Sequence, residues 1–195
     1  MSTSTAPLRL TPQQYLEAER VATFKSEYFD GEPFAMAGGT RSHGYIQANL
    51  YGEFWNHLRG TTCRYFASDT KVWAPEQSSF FYPDLSVVCG PAVYFGGGAT
   101  MEDVIENPIL ILEILSPSAE KFDRGRKFRM YRSIPSLKQY VLVAQDEPRV
   151  ELYSKDPNGF WIYSEYASLD AIADFSAIQV QIALAHIYEQ VEFNP

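Results

Sequence analysis

Two carboxylates stand in surroundings that demand an explanation. Glu113 interrupts the run Pro108 to Leu115, where Ile109, Leu110, Ile111, Leu112, Ile114 and Leu115 are all apolar. A carboxylate there must be paired, hydrogen-bonded or bound to a cation to offset its lost hydration. Asp84 follows Pro83 and precedes the strand-like Leu85-Ser86-Val87-Val88, so proline places it near a strand's start or edge. On neighbouring strands the two carboxylates would face one pocket, and hard oxygen donors of this kind suit Mg²⁺ or Mn²⁺. The plainer alternatives are a buried salt bridge for Glu113 and a turn-ending aspartate for Asp84. Lys127 lies four residues after Asp123 on a predicted helix, so the two share a face. They are either a solvated acid–base pair or a source of positive charge beside the site.

The elements that must hold these residues are legible as patterns. Thr11-Pro12-Gln13-Gln14 carries a capping threonine, a proline at the first helical position and glutamine three residues after the cap. It predicts a short helix to about Val21. Lys25 to Phe29 and Glu32 to Ala37 flank Asp30-Gly31, a turn pair that favours a hairpin. A second helix, which Ser42 could cap, carries Ile46, Leu50, Phe54 and Leu58 at four-residue spacing and ends at Gly60. Cys63 to Ser68 and Lys71 to Trp73 look like strands, and Phe80 to Val88 reads as one strand with Asp84 inside it or at its edge. Cys89 to Asn107 reads as a long irregular connection containing Gly96-Gly97-Gly98; it lacks the lysine of a phosphate-cradling loop. Pro108 to Leu115 is then a buried strand, Lys121 to Ile134 a helix stopped by Pro135, and Gln139 to Ala144 another buried strand. Strand, crossover helix and strand predict a parallel pair. Val150 to Tyr153 and Phe160 to Tyr166 predict antiparallel strands around Asn158-Gly159, and a short helix from about Ala183 to Glu189 closes the chain.

The chain has 195 residues, 46% hydrophobic and 21% charged, and the length suits one domain spanning residues 1–195. No secretory signal pattern opens it and its longest apolar run is too short to cross a bilayer, which predicts a cytoplasmic protein with no membrane role. Cys63 and Cys89 form no spaced cluster with histidine and are expected to be buried free thiols. The net charge of −8 and pI near 4.9 argue against a general, strong binder of nucleic acid. A metal-dependent enzyme could still act on DNA, because its cations offset local repulsion.

Three segments together resemble a known family. They are the run from Lys25 to Leu50 (KSEYFDGEPFAMAGGTRSHGYIQANL), Tyr82 to Val88 (YPDLSVV), and Asn107 to Val143, whose portion LEILSPSAEKFDRGRKFRMY is the most specific. The family is Uma-two, a group of restriction endonucleases within the PD-(D/E)XK nuclease superfamily, and the resemblance spans roughly Leu10 to Glu189. It implies an α/β fold with a restriction-endonuclease-like mixed β-sheet core flanked by helices. It also implies that Asp84, after Pro83, is the metal-binding aspartate and Glu113 the second acid, with the Ile114 carbonyl as a further ligand. The superfamily motif expects lysine at the next position on the same strand face, which is occupied here by Leu115. The resemblance implies that Lys127, from the following helix, takes that role. Glu27 corresponds to an acid near the metal and His43 to a histidine at the site's edge, although a hairpin acid and a helix-opening histidine both have simple structural explanations.

The implied function is Mg²⁺-dependent hydrolysis of DNA phosphodiester bonds, with Mn²⁺ as a substitute and water as the nucleophile. Ser116 and Ser118 lack the elbow and paired histidine of a serine nucleophile. The competing reading is a nuclease fold of weak or lost activity that serves binding or assembly; Leu115 and the acidity favour it. Hydrolysis of another phosphate ester is a third. The aromatic C-terminal strands, and the family resemblance, suggest a homodimer.

Overall fold

The computed structural model describes residues 9–36, 38–97, 103–117 and 119–193. Ala37, Gly98 and Ser118, which figure in the expectations above, lie outside the described residues. Helix α1 (Pro12–Glu19) opens with the expected capping box: Gln14 N–H donates to Thr11 Oγ1 at 3.2 Å, and Thr11 N–H donates to Gln14 Oε1 at 2.8 Å. Strands β1 (Ser26–Phe29) and β2 (Glu32–Ala35) form the hairpin, with Asp30 at φ 48° and Gly31 at φ 88°. Two successive positive φ values suit a two-residue turn of the primed kind, hence Asp-Gly. Helix α2 (Arg41–Leu58) is capped by Thr40, whose Oγ1 accepts from His43 N–H at 3.1 Å. Ser42 is therefore inside the first turn, and the extended Thr40 takes the capping place predicted for it.

The remaining strands are β3 (Cys63–Ala67), β4 (Lys71–Ala74), β5 (Ser79–Phe81), β6 (Leu85–Cys89), β7 (Val104–Ile105), β8 (Leu110–Ile114), β9 (Gln139–Val143), β10 (Val150–Lys155), β11 (Trp161–Tyr166), β12 (Ile172–Phe175) and β13 (Val180–Ala183). They divide into a sheet of order β2-β1-β5-β4-β7, a larger one of order β11-β10-β9-β8-β6-β3, and the hairpin β12-β13. The single strand expected from Phe80 to Val88 is instead two strands in different sheets. Tyr82, Pro83 and Asp84 fall between them, and a proline with no N–H is a natural place for a ladder to stop. The connection from Cys89 to Asn107 is less irregular than expected, since β7 pairs with β4 in parallel.

Strands β8 and β9 are parallel, with Leu112 opposite Val141, as the strand–helix–strand pattern predicts. The helical segment joining them has three consecutive parts: α3 (Glu120–Phe122), a π-helical stretch Asp123–Lys127, and α4 (Phe128–Tyr131). A short α5 (Leu184–Ile187) follows β13. Among the described residues no helix is long and apolar enough to cross a membrane.

Side-chain alternation along β8 sorts the core. Leu110, Leu112 and Ile114 pack with Ile46, Leu50, Phe54 and Leu58 of α2, whereas Ile111 and Leu115 pack with Met130 and Tyr131 of α4. Glu113 shares the parity of Ile111 and Leu115, so it points toward the segment Glu120–Tyr131. The cysteines are a correction. Antiparallel pairing of β3 with β6 sets Cys63 directly opposite Cys89, and the two sulfurs are bonded as a disulfide rather than free.

Candidate active site

An open cleft of about 990 Å³ lies where the two larger sheets meet the helices, and Glu27, His43, Asp84, Glu113, Asp123 and Lys127 all line it. These residues come from β1, α2, the β5–β6 break, β8 and the π-helical stretch. All five of the side chains singled out in the sequence therefore reach one cavity, together with Asp123.

Asp84 is held from three directions. Its Oδ2 accepts the Ile114 N–H at 2.7 Å, while Oδ1 lies 3.0 Å from His43 Nε2 and 3.4 Å from Gln47 Nε2. Its backbone carbonyl accepts the Tyr51 hydroxyl at 2.9 Å. The bond to Ile114 ties Asp84 to the residue next to Glu113, which fixes the strand break against β8. Ile114 thus meets Asp84 through its N–H.

Glu113 and Lys127 form the buried heart of the cleft, with side-chain exposures of 5% and 6%. Lys127 Nζ lies 2.8 Å from Glu27 Oε1, 3.1 Å from Glu113 Oε1 and 3.5 Å from Asp123 Oδ1. Tyr131, one turn further on, donates its hydroxyl to Glu113 Oε1 at 2.9 Å. Glu27 Oε1 also accepts the Tyr82 N–H at 3.2 Å, so the hairpin acid is an interior group rather than a solvated one. The Asp123–Lys127 pair is likewise buried, which removes the solvated acid–base alternative. Leu115 occupies the strand position where the superfamily motif expects lysine and lies in the apolar core instead.

The electrostatics follow from this crowding. Burial pushes the Glu113 carboxyl well above the ordinary carboxylate range; Lys127 opposes that rise, and the neighbouring Asp123, Asp84 and Glu27 reinforce it. Burial likewise raises Asp123 to about 6, against the pull of Lys127 and with help from Glu27 and Asp84. Burial alone would lower Lys127, but the carboxylates of Glu113, Glu27 and Asp123 outweigh it and hold the ammonium charged well above its usual range. For His43, the hydrogen bond and charge of Asp84 overcome the lowering effect of burial and raise the imidazole above 6.5.

Four carboxylates thus face one lysine and one histidine, a surplus of hard anionic donors that fits a divalent cation. Among the described residues no group of three or more His, Cys, Asp or Glu side chains is arranged to hold an ion unaided. Mg²⁺ does not require one, since it keeps several waters and takes one or two protein carboxylates. The donor chemistry of Asp84 and Glu113 therefore fits Mg²⁺. In the sequence Asp123 stands out only as the partner of Lys127, and nothing marks Tyr131 as a chemical group. The signal was their spacing: Asp123, Lys127 and Tyr131 recur every four residues and so share the face that meets Glu113.

Comparison with known proteins agrees with this architecture. A crystal structure described as a putative nuclease belonging to DUF820, from Anabaena variabilis, superposes with a TM-score of 0.75 at 15% identity, covering 94% of this chain and 99% of that one. At that identity the likeness establishes the fold. Two proteins of Synechocystis sp., both described as uncharacterized, are 36% and 34% identical, over 95% and 88% of this chain and 94% and 95% of their own lengths. The Uma2 family, described as "Putative restriction endonuclease", matches residues 12–185, and the chain belongs to that family.

Proposed function

We propose that the protein is a metal-dependent endonuclease, one nuclease domain that hydrolyses DNA phosphodiester bonds in the cytoplasm. The observation that carries this reading is the buried Lys127 ammonium at 3.1 Å from Glu113, in the same cleft as Asp84. Asp84, Glu113 and the Ile114 carbonyl would hold Mg²⁺ or Mn²⁺, which when bound polarises the scissile phosphate and eases deprotonation of the attacking water. Lys127 stays protonated and offers a fixed positive charge to the phosphoryl oxygens as negative charge builds there. Glu27 and Tyr131 orient that lysine and Glu113. His43 and Gln47 hold the Asp84 carboxylate against rotation, so that it meets the cation preorganised.

Purified protein with Mg²⁺ should nick plasmid DNA, and Glu113→Ala should lower the rate by at least about a hundredfold, as loss of a charge-stabilising group does. Equal cleavage by wild type and variant would point to a contaminant. It would favour the second reading, a nuclease fold kept for binding or assembly, which Leu115 and the net charge of −8 support.

We also propose a homodimer. Strand β11 is an outer strand of the larger sheet, and Ile162 and Tyr163 on it, with Phe160 just before it, are exposed. Analytical ultracentrifugation showing a monomer at micromolar concentration would remove this.

A further inference from the structure

We propose that the cleft takes an unpaired stretch of DNA rather than intact duplex, and that Phe34 is the platform on which a base beside the scissile phosphate stacks. The inference rests on the nuclease reading above and adds the form of the substrate to it. Register sets Phe34 of β2 directly opposite Glu27 of β1, so the two side chains share one face of the hairpin. Glu27 lies 2.8 Å from Lys127, and all three residues line the same cleft. The ring therefore stands beside the centre, on an outer strand of its sheet, and is 47% exposed. Met36 N–H donates to the Lys25 carbonyl at 3.1 Å, which continues the pairing past the end of β2. Two positions on from Phe34, Met36 falls on the same face, lines the cleft and is also exposed.

The fold uses the neighbouring ring but not this one. Phe29, on the same face of β1, packs edge-on against Phe122 with centroids 6.5 Å apart, whereas Phe34 has no aromatic partner among the described residues. The charges point the same way. The cationic side chains that line the cleft are Lys25, Lys127 and His43. Lys127 is held by three carboxylates, His43 by Asp84, and Lys25 by Asp69 and the Ser68 carbonyl. Duplex DNA carries phosphates on both strands, and its binding rests on lysines and arginines that neutralise them. In a chain of net charge −8, the described walls of this cleft have no such cation to spare. A flat ring supplies affinity by stacking instead, and any base can stack on it once the base is unpaired.

The test compares cleavage of a single-stranded oligonucleotide and of its duplex by the full-length protein with Mg²⁺, at substrate concentrations below saturation. Wild type should cut the single strand at least about tenfold faster. Phe34→Ala should lower that rate by about 5- to 150-fold, the loss of one base–aromatic stack, and Phe34→Trp should restore it. Supercoiled plasmid, whose duplex opens locally, should be cut faster than the same plasmid linearised. Duplex cut as fast as single strand would overturn the inference and leave the nuclease standing, as would wild-type rates on single strands in Phe34→Ala. Single-stranded RNA cut in preference to DNA would overturn the choice of DNA. Cleavage of no substrate would overturn the nuclease reading itself. The wild-type comparison decides even if neither variant folds.

Discussion

The two helical segments that pack on opposite faces of the larger sheet differ in what they bury. Helix α2 turns Ile46, Leu50, Phe54 and Leu58 inward, and its buried residues are all apolar. The segment Glu120–Tyr131 buries Met130 and Tyr131 in the same way, but beside them it buries Asp123 and Lys127. Each apolar side chain on α2 contributes about 1.5–3 kcal/mol by leaving water. A buried ion cluster contributes little or nothing net, because the desolvation of each charge offsets the attraction. Both segments pack the sheet, but only the second carries a costly charged arrangement that packing alone does not require. α2 meets the site through His43 and Gln47 near its N-terminal end and through the Tyr51 hydroxyl on the Asp84 carbonyl.

That division can be broken experimentally. Lys127→Met should have the largest effect, lowering DNA-nicking activity by roughly a hundredfold or more. It should also destabilise the protein by about 3–5 kcal/mol in urea denaturation, since Glu27, Glu113 and Asp123 lose their shared cation. Phe54→Ala should cost a similar stability, about 3–5 kcal/mol, through the cavity left in the core, while activity per folded molecule stays at the wild-type value. A loss of activity without loss of stability in that variant would show that the two faces are not separable.

His43→Ala probes the end of α2 that reaches the cleft. Removing a group that orients a ligating carboxylate should cost about tenfold in activity or metal affinity, well below the effect at Lys127. The smallest effect concerns pH. Asp123 rises from 3.8 unfolded to about 6 folded, so between those values the native state binds the proton more tightly than the unfolded chain. Its contribution to stability is full below about 3.8 and is lost as pH rises toward about 6. Thermal melts of metal-free protein should show this decline, and Asp123→Asn should flatten it. An unchanged slope in the variant would assign the dependence to another group.

Much of the scaffold is written in local patterns. The capping box at Thr11, the Asp30-Gly31 turn, the four-residue stripe of α2 and the apolar run around Glu113 each specify their element through nearest neighbours. Other features escape that logic. Ser42, a hydroxyl residue just before the stripe, reads as the cap, and only the folded backbone gives that place to Thr40. The stretch Phe80 to Val88 reads as one strand because its composition is continuous, and only sheet membership reveals the break at Pro83. Cys63 and Cys89 carry no sign of pairing until the register of β3 on β6 sets them face to face.

The sequence by itself marked Asp84, Glu113 and Lys127 as residues in need of a partner, through the cost of burying charge and the resemblance that moves the lysine expected at Leu115 to Lys127. Their chemical types follow from the chain alone, as do the strand that bears Glu113 and the helical segment that bears Lys127. Tertiary structure decided which partners they received: Ile114 N–H and His43 for Asp84, Tyr131 and Lys127 for Glu113, and Glu27 and Asp123 for the lysine. The physical reason is that periodicity reports which face of an element is buried, whereas strand order and register decide what that face meets. Glu27, on a hairpin far away in the chain, reaches Lys127 only because two sheets and a π-helical turn close on the same cleft.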